Sequence, residues 1–307
     1  YLNVRVFSVP AELIIYIMVG FYLGIQKTKI SSLLLIILST LNIVFSSILV
    51  LTFNLNVFGV VLGTLIASYI TLIIFIFYTY YFIINKFKVI PRFERLMIKA
   101  KILRLFNINF DIFLRTIFLT FAFFWITYLG SKIGEDYLAV NTILLQFILL
   151  SSFFLDAYAF STEGLVGFSI GKRNRNSFLT IVKNSIFLSL VTGIIISLIY
   201  IIFFKKIINA MTDIEILRYI AFQHAIWIFV IPPVASFCYQ LDGIFVGASQ
   251  TKEIRNAMII SVLIFLLISF YLSRIFENHG IWVSLLLFMI FRSLTLKMFF
   301  KNILRKF

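Results

Sequence analysis

Residues 57–84 read VFGVVLGTLIASYITLIIFIFYTYYFII. None of these 28 residues is charged, and a helix of that length outruns the roughly 30 Å hydrocarbon core of a bilayer. The run lacks the apolar–polar alternation of a barrel strand. Similar runs occur at 7–25, 31–53, 110–131, 137–160, 178–204, 219–237 with a tail to 248, 257–273 and 280–300, making nine predicted spans. Composition agrees with them. Of 307 residues, 62% are hydrophobic and 13% charged, with a mean hydropathy of +1.08, whereas soluble domains carry about 25% charged residues. A soluble fold, a disordered chain and a single-anchor protein are all excluded. The expected fold class is all-α integral membrane.

The net charge of +15 would suggest nucleic acid in a soluble protein. Here the basic residues flank the apolar runs, where they orient helices and meet anionic lipid, so no nucleic-acid partner is expected. Eighteen of them, including Lys27, Lys29, Lys172, Arg173, Lys252 and Arg255, fall on one side and six on the other. The first side is read as cytoplasmic, which places residue 1 outside and residue 307 inside. Cys238 is the single cysteine, and His224 and His279 lie far apart near predicted helix ends. No disulfide and no Cys- or His-based metal site is expected. No nucleophile triad or phosphate-binding loop occurs. The chain is not expected to be an enzyme, and no cofactor is expected.

Two segments match at a constant offset of 223. Pro10 pairs with Pro233, Gly20 with Gly243, Gly24 with Gly247, Thr28 with Thr251 and Lys29 with Lys252. The first three spans therefore repeat as the last three in parallel orientation. The middle three then require partners upstream of residue 1, about 139 residues by the repeat arithmetic. The expected whole is twelve spans in two pseudo-symmetric six-helix lobes with a cleft between them. On this reading residues 1–84 are the last three helices of the N-terminal lobe. Residues 85–108 form a cytoplasmic amphipathic linker with Pro91 at its start and Arg92, Arg95 and Lys99 on one face. Residues 109–307 form the six-helix C-terminal lobe.

The segments 1–10 (YLNVRVFSVP), 40–45 (TLNIVF), 59–69 (GVVLGTLIASY), 109–116 (NFDIFLRT), 155–171 (LDAYAFSTEGLVGFSIG) and 241–248 (LDGIFVGA) resemble the multidrug and toxic compound extrusion family, specifically its DinF-like branch. The resemblance covers essentially the whole chain and places it from the fourth helix of twelve to the end. It implies a cation-coupled antiporter, driven by protons or sodium. Such a protein exports organic, often cationic or amphipathic, compounds by alternating access from a bacterial inner membrane, and is expected to be a monomer. One departure is plain. Where the family commonly carries Asn-x-x-x-Asp, this chain has Asn42 followed by Ser46.

Ionisable groups inside a membrane are costly, so each acid there is a functional candidate. Asp242 sits beside the Gly243-xxx-Gly247 pair, and its repeat partner is Val19, so the repeat does not require the acid. Asp156 and Glu163 lie seven apart on one helix face, and Asn141 and Gln146 are expected to add polarity there. Asp111 and Arg115 are spaced to pair with each other; alternatively Arg115 serves Asp156, Glu163 or Asp242. Glu12 is expected at the outer mouth, most simply as an interfacial carboxylate. Tyr16, Trp227, Tyr239 and Gln240 are candidates for cargo contact or for packing. The alternative function is a lipid-linked saccharide flippase of the same superfamily, which would call for a strongly basic cavity. A non-transporting scaffold would leave the acids unexplained.

Overall fold

The computed structural model describes residues 2–87, 98–305 and 307, and every regular element among them is helical. They are α1 (Leu2–Arg5), a 3-10 turn (Val6–Ser8), α2 (Val9–Gly24), α3 (Thr28–Leu51), α4 (Asn56–Phe87), α5 (Lys99–Ile133), α6 (Glu135–Gly171), α7 (Arg175–Met211), α8 (Glu215–Gln223), α9 (Ala225–Gly247) and α10 (Thr251–Leu304). Among the described residues, eight helices are long and apolar enough to cross a membrane. α10 is two such segments joined at Glu277, whose φ of 48° and ψ of −127° interrupt the helix. The nine apolar runs thus become nine passes, and the protein is an integral membrane protein.

Three boundaries differ from the sequence expectation. The run at 219–248 is not one span with a tail. It breaks at His224 into the short α8 and the full-length α9, which puts Asp242 inside the spanning helix. The polar cluster Tyr239-Gln240-Asp242 had read as a span end because the bonds that satisfy it come from distant helices. The fourth span starts at Lys99 rather than 110, since Lys and Arg are good helix formers and their heads extend beyond the membrane. Of the expected surface helix at 86–106, Pro91, Arg92 and Arg95 lie outside the described residues.

The chain forms two compact units, Tyr1–Lys101 and Ile102–Phe307. In the first, Ala11, Ile15 and Met18 of α2 pack with Leu34 of α3 and Leu72 and Phe75 of α4. In the second, Leu144 and Phe147 of α6 meet Tyr200 and Phe204 of α7, Ile228 of α9 and Phe265, Trp282 and Phe288 of α10. Large apolar side chains such as Phe77, Ile202 and Met298 are exposed, as lipid-facing positions require.

The repeat recurs in the backbone. α2 ends with Gln26 at φ 61° and α9 with Ser249 at φ 52°, again 223 residues apart. In each the amide two residues past the cap reaches back to the last turn, Lys27 N–H to Tyr22 O (2.8 Å) and Gln250 N–H to Phe245 O (2.9 Å). This is the same Schellman termination. Asn54 at φ 52° and Glu277 at φ 48° repeat the spacing once more.

The repeated glycines meet different surroundings. A Cβ on Gly243 would lie 2.5 Å from the Ala159 carbonyl oxygen, and one on Gly247 would press against the Glu163 carbonyl. Gly20 and Gly24 meet nothing within 4 Å. The Gly243–Gly247 face is therefore what lets α9 approach α6, the helix carrying two of the candidate acids. Gly247→Val is expected to cost about 2–3 kcal/mol by overpacking, and Gly24→Val about 0.5 kcal/mol or less. Thermal unfolding of the two variants in detergent checks the difference.

Candidate functional site

The second unit encloses a cavity of about 540 Å³ walled by α5, α6, α9 and α10. Most of its lining is apolar, including Leu119, Phe123, Leu145 and Phe160. Into this wall project Arg115, Gln146, Asp156, Glu163, Tyr239, Asp242 and Arg292. The close approach of α9 to α6 brings Asp242 to the same chamber as Asp156 and Glu163, and the sevenfold spacing of those two keeps both on its inner face.

Asp242 is only 6% exposed and is held by two cations. Arg115 Nη2 donates to its Oδ2 at 2.6 Å, and Arg292 Nη2 donates to the same oxygen. Arg292, 2% exposed, also lies 5.8 Å from the Phe288 ring and 6.0 Å from that of Tyr239. Two guanidiniums on one carboxylate oxygen leave the trio one positive charge in excess. Asp242 Oδ1 and the Nε atoms of Arg115 and Arg292 are buried without a hydrogen-bond partner among the described residues. Asp156 and Glu163 are half-buried, and among the described residues neither has a cation within ion-pair distance. The cavity thus holds three carboxylates and two guanidiniums, arranged as a cationic cluster facing two unpaired acids.

The expected Asp111–Arg115 pair does not form. Asp111, buried, instead accepts from Arg255 Nη1 (2.6 Å) and Thr251 Oγ1 (3.0 Å) near the inner end of α10, which frees Arg115 for Asp242. Asn141 does not line the cavity either. Its Nδ2 donates to Asn278 Oδ1 (2.6 Å) and its Oδ1 accepts from Trp282 Nε1 (2.9 Å), a buried network fastening α6 to α10. Asn141→Leu is expected to lower stability by about 1–3 kcal/mol and to leave the ion dependence of transport unchanged; unfolding and transport assays on one preparation separate the two. Gln240 accepts from Thr162 Oγ1 (2.9 Å) and is buried, so it packs rather than faces the cavity.

Asn42 belongs to the first unit, in a cavity of about 320 Å³ with Arg5, Glu12, Tyr16, Thr64 and Ser68 among its walls. Asn42 Nδ2 donates to Thr64 Oγ1 (3.3 Å), and Ser46 Oγ donates to Asn42 Oδ1 (3.2 Å). Glu12 pairs with Arg5 at 2.7 Å. The serine that stands where relatives carry an acid is thus a hydrogen-bond donor to Asn42.

Arg292 is absent from the sequence candidates. Its signal was available, because a charged residue inside the apolar run 280–300 is as anomalous as Asp242. The histidines are also corrected. Fifty-five residues apart in sequence, His224 and His279 stack with ring centroids 4.2 Å apart, and Trp227 Nε1 donates to His279 Nδ1 (3.1 Å). Burial, reinforced by His279 and opposed by the bond to the Ile220 carbonyl, holds the His224 imidazole below the usual histidine range. A lowered folded-state value means the unfolded chain binds the proton more readily, so this stabilisation is complete above about pH 6.5 and is lost as pH falls below it. Thermal unfolding at pH 7.5 and 5.5 is expected to show a smaller acid-induced loss for His224→Phe than for the parent.

Residues 112–272, more than half of the chain, match the MatE family. The chain is 31% identical over 300 residues to DNA damage-inducible protein F of Escherichia coli (strain K12), covering 96% of this chain and 64% of that protein. It is 24% identical over 302 residues to Protein DETOXIFICATION 43 of Arabidopsis thaliana, covering 96% of this chain and 55% of that one. The chain therefore spans less than two thirds of either relative. Its fold is similar to the crystal structure of the Vibrio cholerae MATE transporter VcmN, with a TM-score of 0.89 and 16% identity over 99% of this chain and 69% of that one. With its apolar helices, its charged intramembrane cavity and these likenesses, the chain belongs to the multidrug and toxic compound extrusion (MatE) family of membrane transporters, which are not enzymes.

Proposed function

We propose that this chain forms the larger part of a proton- or sodium-coupled antiporter of a bacterial inner membrane. It exports drugs or toxic organic metabolites by alternating access. In this proposal residues 1–84 complete an N-terminal lobe, 85–108 link the lobes, and 109–307 form the C-terminal lobe. The observation that carries it is the pair of unpaired carboxylates, Asp156 and Glu163, on the wall of a largely apolar chamber within the membrane. An apolar chamber suits an amphipathic organic molecule, and a carboxylate without a fixed counter-charge can take up and release a proton or Na⁺ as its exposure to water changes. Asp242, neutralised by Arg115 and Arg292, serves as a fixed charge, and exchange belongs to Asp156 and Glu163. Asn42 and Ser46 contribute a neutral polar site in the first unit, and Asn141 a structural one.

Three acids against two arginines do not make the strongly basic cavity of a saccharide flippase, which is therefore not favoured. The test is transport of ethidium by the full chain in liposomes with imposed pH or sodium gradients. Uptake against the ion gradient is expected, and transport indifferent to both ions would overturn the proposal.

A further inference from the structure

The arrangement of charge in the second-unit cavity says more than that it binds organic molecules. The groups facing the chamber are Arg115 on α5, Asp156 and Glu163 on α6, Tyr239 and Asp242 on α9, and Arg292 on α10. With all the carboxylates ionised the chamber has a single net negative charge. With Asp156 and Glu163 neutralised by bound protons it has a single net positive charge, because Arg115 and Arg292 outnumber Asp242. Without one of the arginines the two states would carry two negative charges and none.

We infer that Arg292 sets the charge number of the cargo: by leaving the Arg115–Asp242–Arg292 cluster one positive charge in excess, it matches the open chamber to a monocation and makes the loaded chamber expel it. The inference rests on the proposed cation-coupled role of this same cavity. Arg292 suits the task because it is almost wholly buried, is held by Asp242 and lies near the Phe288 and Tyr239 rings, so its charge can neither leave nor be screened by water. Retaining two guanidiniums on one buried carboxylate is costly for stability alone; a charge-setting role accounts for the second.

The magnitude follows from Coulomb's law. One unit charge acting on another at about 10 Å and an effective dielectric near 20 changes affinity roughly tenfold. Removing Arg292 should strengthen binding of a monocation by roughly tenfold and of a dication by roughly a hundredfold, shifting their ratio by roughly tenfold.

The experiment uses ethidium and propidium, phenanthridinium dyes with one and two positive charges, titrated by fluorescence polarisation into the full chain in detergent at pH 7.5. Wild type should prefer ethidium, and Arg292→Gln should shift the ratio of dissociation constants toward propidium by about tenfold. Arg292→Lys should keep the wild-type ratio. The pair Arg292→Gln with Asp242→Asn, which restores the net charge without restoring any contact, should return to it. If Arg292→Gln does not fold, Arg115→Gln makes the same charge change and carries the same expected shift. An unchanged ratio in the Gln variant, or a ratio that stays shifted in the double variant, overturns the inference while leaving the cavity as cargo site. If Asp156→Asn with Glu163→Gln does not weaken either dye, the cavity is not the cargo site and both proposals fall together.

Discussion

Replacing Asp156 by Asn and Glu163 by Gln together is expected to abolish gradient-driven export, by a hundredfold or more, with the protein still inserted and folded. Both side chains lie on one face of α6 and line the chamber, and among the described residues neither is tied to a cation. Their amides keep size and hydrogen-bonding capacity but can neither take up a proton nor balance a Na⁺. Because no buried ion pair is broken, the stability cost should stay near 1 kcal/mol. Each single variant should retain part of the coupling, since the remaining acid can still exchange. Ser46→Ala in the first unit should change the ion dependence little, because Ser46 offers only a hydroxyl to Asn42. Transport in liposomes with imposed proton or sodium gradients, together with thermal unfolding of the same preparations, checks all four.

Asp242→Asn is expected to behave differently, and to be the more damaging to the fold. It strips the shared counter-charge from Arg115 and from the almost wholly buried Arg292. Removing one partner of a buried pair costs about 3–5 kcal/mol, because the charge left behind is uncompensated. Thermal stability in detergent should fall accordingly and export should be lost with it. Adding Arg292→Met, which removes one of the stranded charges, should recover a large part of the stability. A neutral Asp242→Asn variant with unaltered unfolding would show that the arginines find other partners.

These outcomes separate what sequence alone could and could not reveal. Lipid satisfies no backbone group, so each pass must be a helix of about twenty apolar residues. That constraint made all nine passes legible, and the constant offset of 223 anticipated the matching turns at Gln26 and Ser249. Asp156, Glu163, Asp242 and Arg115 were legible as charges in apolar surroundings, and the fold gathers them around one chamber. Arg292 carried the same signal and was passed over because the screen looked for acids. Asn141 was misplaced because its partners, Asn278 and Trp282, are 137 and 141 residues away. No local pattern distinguishes an asparagine that fastens two helices from one that faces a cavity. The break at His224 was hidden for a related reason: what stops α8 and starts α9 is the stacking of His224 on His279, a contact made only in the folded protein.

The central claim is that cargo and coupling ion compete for the same carboxylates, Asp156 and Glu163. The most direct measurement is the equilibrium affinity of the full chain for ethidium across pH 5.5 to 8.5, with and without 100 mM sodium. Affinity should fall as pH falls or as sodium is added, and this dependence should vanish in the variant carrying Asp156→Asn and Glu163→Gln. Ethidium binding that is indifferent to both ions in the unaltered protein, or equally ion-dependent in the variant, would contradict it.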